Sequence, residues 1–86
     1  MGTYVQRAAR LLNAAKREEE AFNRLVGQAI VDARRAMHWK QSALARRLGI
    51  AQSGMTRIER GQTPCTLWRL VQIAKLTGRP VQRMIP

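Results

Sequence analysis

Between Gln52 and Arg60 the chain reads QSGMTRIER, and Gln52, Ser53, Thr56, Arg57 and Arg60 supply one amide, two hydroxyls and two guanidinium groups. Advancing 100° per residue from Gln52, these residues fall at about 0°, 100°, 40°, 140° and 80°, while Met55 and Ile58 fall at about 300° and 240°. A helix over 52–60 would therefore bury Met55 and Ile58 and present hydrogen-bonding groups, none of them a carboxylate, along one arc. Such groups match base edges in a DNA major groove: Gln with adenine, Arg with guanine, Ser and Thr with either. Bond-making chemistry has far less to work with. The chain holds one histidine, His38, and one cysteine, Cys65, and its acids are Glu18, Glu19, Glu20, Asp32 and Glu59. No carboxylates are paired for a common pocket, and no Gly-rich loop is present to cradle phosphates. Catalysis is excluded on these grounds. Cys65 has no second cysteine for a disulfide and no Cys or His neighbour at metal-ligand spacing, so it reads as inert. Neither a cofactor nor a metal is expected.

The elements that must position this arc are short helices. Residues 41–48 carry Leu44, Ala45 and Leu48 on one side and end at Gly49, a left-handed helix stop. Three residues later the 52–60 pattern begins, and Gly61 closes it. So sharp a turn holds the second helix forward of its own domain. Upstream, Phe22, Leu25, Val26, Ala29, Ile30, Ala33 and Met37 recur at three- and four-residue steps and predict one buried helix face. Downstream, Pro64 breaks the chain and Thr66 stands as an N-cap. Leu67, Leu70, Val71 and Ala74 then form a core stripe that ends at Gly78-Arg79-Pro80. The tail VQRMIP has room for one helical turn, and nothing reads as a strand. Before all this, Tyr4, Ala8, Leu11, Leu12 and Ala15 make an amphipathic stripe over residues 3–17, starting after Thr3 as its cap. No Gly or Pro punctuates residues 3–26, so a separate helix and one continuous with the next both fit. The division expected is an N-terminal helical extension, residues 1–21, and a domain over residues 22–86.

Charge points the same way as the arc. Sixteen Lys and Arg against five Asp and Glu give a net charge of +11. Residues 1–21 hold four basic and three acidic residues, net +1, and residues 22–86 hold twelve and two, net +10. A small domain so charged attracts polyanions. The basic residues are scattered over several short helices rather than lined along one amphipathic face, which disfavours a membrane surface. No apolar run approaches the ~20 residues that span a bilayer, and MGTYVQRAAR lacks the apolar stretch of a signal peptide. A reduced, cytoplasmic, nucleoid-associated protein is the expectation. With 86 residues the chain makes one small domain, and a domain of that size buries only about 60–65% of its unfolded surface.

The stretch Q-S-A-L-A-R-R-L-G-I-A-Q-S-G-M-T-R-I-E-R-G, residues 41–61, resembles the helix-turn-helix of the phage-repressor family, also called lambda-repressor-like or xenobiotic-response-element regulators. Gln41 opening the first helix, Ala45 at the crossing, Gly49 in the turn and Ile58-Glu59-Arg60-Gly61 at the close carry the likeness, which extends over about residues 23–85. It implies an all-α, compact bundle of four to five short helices with a helix-turn-helix, here with the N-terminal extension added. It implies that 52–60 is the recognition helix, with Gln52, Ser53, Thr56 and Arg57 at base-contacting positions. Gln41 would grip a phosphate, with Lys40, Arg46 and Arg60 as further backbone contacts. Arg34 and Glu59 match the positions of an Arg–Glu bridge that ties the first helix to the end of the recognition helix. Trp39, between the first two helices, is best read as core, and His38 as a surface residue. Three departures stand out: Ala51 and Lys40 occupy places where capping hydroxyls are usual, and Gly54 sits in mid-helix, costing roughly 1 kcal/mol relative to Ala.

Family members typically pair two copies on a palindromic operator, so a homodimeric, sequence-specific repressor of double-stranded DNA is expected. The alternative is an antitoxin that represses its own operon and whose extension binds a toxin, or a co-regulator in its place. For the dimer contact, Trp68, Gln72 and Leu76 form a line at four-residue steps pointing away from the predicted core, joined by Val81, Met84 and Ile85 of the tail.

Overall fold

The computed structural model describes residues 2–86; Met1, and the side chain of Tyr4 in the predicted extension stripe, lie outside what it describes. Helix α1 runs unbroken from Gly2 to Ala36, α2 from Gln41 to Leu48, α3 from Gln52 to Glu59 and α4 from Leu67 to Thr77, and a 3-10 turn covers Val81–Arg83. No strand occurs among the described residues. The extension and the first domain helix are one 35-residue helix, as the absence of Gly and Pro from residues 3–26 allows. Thr3 lies inside that helix rather than capping it. The long α1 stretches the molecule to 55 × 25 × 18 Å.

The core gathers one face from each helix: Val26, Ile30 and Ala33 of α1, Leu44 and Ala45 of α2, Met55 of α3, and Leu70, Ile73 and Ala74 of α4, with Met84 from the tail. Trp39, Leu48, Ile50, Ile58 and Val81 pack around it half-buried. Two stripes are narrower or turned relative to the sequence pattern. On α1 the buried face is Val26, Ile30 and Ala33: Phe22 and Leu25 remain 47% and 58% exposed, and Met37, just past the helix, 38%. On α4 the core face is Leu70, Ile73 and Ala74, while Leu67 is 65% exposed. Both phases of that helix repeat apolar residues at three- and four-residue steps, and packing against α1 and the tail selects the one containing Ile73.

The helix ends follow local chemistry. Gly49 terminates α2 at φ 70°, and the Thr66 side chain accepts from Arg69 N at the start of α4. α1 ends without glycine: His38 takes the left-handed position at φ 57°, and Trp39 N donates to Arg34 O across it at 3.3 Å. Two glycines let α3 sit against α1. Gly61 has φ 72°, and a Cβ there would lie 2.6 Å from Arg24 N; a Cβ on Gly27 would lie 2.7 Å from Ile58 O. Both obstacles are backbone, so neither can swing aside. Gly27→Ala gains ~1 kcal/mol of helix propensity but must push α3 away, an overpacking cost of ~1–3 kcal/mol. The net expectation is destabilisation, read as a lower midpoint in urea; a midpoint at or above the wild-type value would show that α3 has slack on this side.

Candidate nucleic-acid interface

The outward arc of α3 is as the periodicity drew it in four places and different in a fifth. Gln52, Ser53 and Arg57 are exposed, and Met55, opposite them, is fully buried. Thr56 is half-buried, and its hydroxyl faces Gln41 Oε1 at 2.6 Å and Gln52 O at 3.0 Å. It thus sits at the seam between α2 and α3. Arg60 caps α3 and is exposed, as are Lys40 and Arg46.

Behind the arc lies a hydrogen-bonded chain. Arg34 Nε donates to Glu59 Oε2 at 2.8 Å and Arg34 Nη2 to Glu59 Oε1 at 3.1 Å. Arg34 Nη1 donates to Trp39 O at 2.9 Å. Gln41 Nε2 donates to Glu59 Oε1 at 2.8 Å, and this fixes the amide's orientation: the carboxylate only accepts, so the carbonyl end must face Thr56 and accept its proton. The Arg34 and Glu59 side chains are only 12% and 4% exposed. A fork-on-fork guanidinium–carboxylate pair in such a place is both strong and directional. It joins the C-terminal end of α1 to the C-terminal end of α3, and through Gln41 to the first residue of α2. The pairing of Arg34 with Glu59, implied by the resemblance, is present. The place of Gln41 within it was missed, because residue type alone does not say which acceptor an amide will find.

The N-termini of α2 and α3 have no side-chain cap; Lys40 and Ala51 at the cap positions make none. Their first-turn amides are thus left without a side-chain acceptor, at helix ends where the dipole favours an anion. Trp39 is half-buried between the helices, with the Arg47 guanidinium 4.1 Å over its ring. An open cleft of about 480 Å³ lies beside the network, lined by Arg24, Gln28, Val31, Arg35, Gln41, Arg60 and the paired Arg34 and Glu59. Three of its arginines, Arg24, Arg35 and Arg60, are exposed and in no ion pair among the described residues. The α1 members of this group were missed by the sequence reading, although Arg24 lies seven residues after Arg17 and fourteen after Arg10.

Of the residues assigned to a dimer contact, Trp68, Leu76 and Ile85 are exposed, at 67%, 36% and 43%, and Gln72 and Val81 are half-buried. Met84 is a correction: at 1% exposure it is part of the domain's own core and has no surface to offer a partner. Cys65 is half-buried behind α4; desolvation pushes its thiol up to about 11, with Arg69 pulling the other way, so it stays protonated at neutral pH. No cluster of potential metal ligands occurs among the described residues, and no described helix is long and apolar enough to cross a membrane.

A family model described as a helix-turn-helix domain matches residues 25–84, which takes in the end of α1, all of α2, α3 and α4 and the 3-10 turn. Neither the curated proteins nor the solved structures give a match. The match covers well over half of the chain, and it coincides with the elements that hold the exposed arc of α3. The protein belongs to the helix-turn-helix domain family, whose work is DNA binding in the regulation of transcription.

Proposed function

We propose that the protein is a sequence-specific repressor that binds a palindromic operator as a homodimer, with α3 in the major groove. The observation that carries this reading is the division of α3 into two sides. One side is fastened by Met55 and by the Glu59–Arg34 pair, and the other offers Gln52, Ser53 and Arg57 to solvent with no neighbouring acid. A rigidly mounted helix with free amide, hydroxyl and guanidinium groups is what direct readout needs. Lys40, Gln41, Arg46 and Arg60 serve the phosphates on either side. Thr56 acts at one remove: it holds the Gln41 amide, whose second Nε2 proton remains for a phosphate. The test is selection of binding sites from random duplexes by the purified protein. Recovery of a palindromic consensus supports the reading; recovery of unrelated sequences overturns it.

For the dimer contact, the exposed line Trp68–Leu76 on α4 supports pairing through this face, with the exposed Ile85 of the tail joining it. An indole and aliphatic side chains left in water suit the apolar centre of an interface. Pairing there would place the two α3 helices roughly 34 Å apart, one turn of DNA. Trp68→Glu combined with Leu76→Glu should convert the dimer to a folded monomer in sedimentation. A double variant still dimeric at micromolar concentration would move the contact to the arm of α1, where Val5, Leu11 and Leu12 are exposed.

Those exposed apolar side chains on the arm favour, as a second reading, a protein partner held by the extension, which is the antitoxin arrangement. A toxin gene directly beside this one, and its product co-purifying with the wild type but not with a Leu11→Glu, Leu12→Glu variant, would establish it; the absence of both would remove it.

A further inference from the structure

The arm of α1 ahead of the helix-turn-helix domain is exposed along residues 5–20, with no side chain there buried against the rest of the chain. It projects for about 28 Å at 1.5 Å per residue. Its faces differ. Taking Arg10 as 0°, Arg17, Arg24 and Arg35 fall at about −20°, −40° and −20°, and Gln28 at about 0°. These residues form a ladder along one side of α1, opposite the stripe that enters the core at Val26 and Ile30. Glu18 and Glu19 stand off it, at about +80° and 180°. Glu20, about 40° from Arg24 on one side, is in no ion pair with it, and Asp32, about 40° from Gln28 on the other, accepts from the Gln28 amide at 2.9 Å. All four arginines of the ladder are exposed and outside any ion pair among the described residues.

The lower half of the ladder belongs to the DNA-facing surface already described. Arg24 and Arg35 line the same cleft as Gln41 and Arg60, and Gly61, next to Arg60, rests on the backbone of Arg24. The ladder therefore starts beside the phosphate-facing end of α2 and runs outward along the arm. From Arg35 to Arg10 it spans about 38 Å, a little over one turn of duplex.

Resting on the reading of α3 as a DNA-binding helix, we infer that α1 is a second, sequence-independent DNA-binding element. Arg24, Arg35 and Arg60 hold a backbone phosphate in the cleft, and Arg17 and Arg10 follow the phosphates of the duplex flanking the operator. Guanidinium groups on a rigid helix contact phosphates without reading bases, so this element adds affinity and footprint length but no sequence preference.

The experiment uses the full-length chain and the duplex recovered by selection, either trimmed to the operator or extended by about twelve base pairs on each side, a little over one turn. Binding is measured between 50 and 200 mM salt for wild type, for Arg10→Ala/Arg17→Ala, and for Arg7→Ala/Lys16→Ala. The last variant removes the same charge from other faces of the arm, at about +60° and −120°. Each lost phosphate contact should make the slope of log K against log[salt] shallower by about 0.9, so that the affinity lost over this salt range shrinks by about 3.5-fold per arginine. The expected result is that loss of slope on the extended duplex for the ladder variant only, with no change on the trimmed duplex. Equal slopes for wild type and ladder variant on the extended duplex, or equal losses in both variants, would overturn the inference while leaving operator binding by α3 intact. Failure of the wild type to prefer the selected operator over random duplex would remove the underlying reading as well.

Discussion

Glu59→Ala is expected to cost the fold about 3–5 kcal/mol, the usual penalty for removing one member of a buried ion pair. A chain of this length has a total stability of roughly 4–13 kcal/mol, so the variant should be substantially unfolded or melt far below wild type. The reason is the number of groups that lose their acceptor together. Both Arg34 Nε and Nη2 donate to this carboxylate, and so does Gln41 Nε2. After the change Arg34 keeps only the Trp39 carbonyl, in a position where its side chain is 12% exposed. A surface pair would contribute well under 1 kcal/mol; the 4% exposure of Glu59 decides between the two cases. A double-mutant cycle with Arg34→Ala should return a coupling of about 2–3 kcal/mol. Thermal melting by circular dichroism provides the readout. An unchanged melting temperature for Glu59→Ala would show that water reaches the pair freely and that α3 is held by apolar packing alone.

Arg57→Ala and Gln52→Ala should each lose about 1–3 kcal/mol on the cognate operator, roughly 5- to 150-fold in affinity, with a much smaller loss on random duplex. Both side chains are exposed and make no hydrogen bond within the domain, so the substitutions should leave stability unchanged. Lys40→Ala, at the cap position of α2 and proposed above as a phosphate contact, should weaken cognate and random DNA alike. Thr56→Ala belongs to neither class. Its hydroxyl is held against Gln41, so its loss should release the Gln41 amide and lower stability along with binding to every sequence. Competition titrations with labelled operator separate these patterns. Equal losses on random DNA from all of these variants would remove base reading from α3.

The local punctuation of this fold was legible in the residues. Gly49, Pro64 with Thr66, and Gly78 stop and start helices where the structure does, because left-handed stops and hydroxyl caps are short-range chemistry. The buried side of α3 was legible as well, since Met55 and Ile58 are its only large apolar residues. What could not be read was whatever the rest of the molecule decides. Phe22 and Leu25 continue the same periodic stripe as Val26 and Ile30, yet the domain leaves both uncovered even though Gly61 packs on the backbone of Arg24 between them. Leu67 and Ile73 offer two phases for α4, and only packing chooses Ile73. Met84 looks like a loose tail residue until the 3-10 turn folds it under α4. At the candidate interface, an outward angle on a helical wheel is not the same as freedom: Thr56 points toward α2, a neighbour absent from the wheel. Gly27 shows the converse, a residue without a side chain that permits the α1–α3 contact on which the orientation of α3 depends.

Reading of base edges by α3 is tested most directly by titrating salt against binding to the selected operator and to random duplex of equal length. With ~8 phosphates neutralised by a dimer, log K on the operator should fall with log[salt] at a slope near −7, and near-physiological salt should leave the operator bound at least ~10³-fold tighter than random DNA. A slope shallower than about −2, or equal affinity for the two duplexes at every salt concentration, would contradict it.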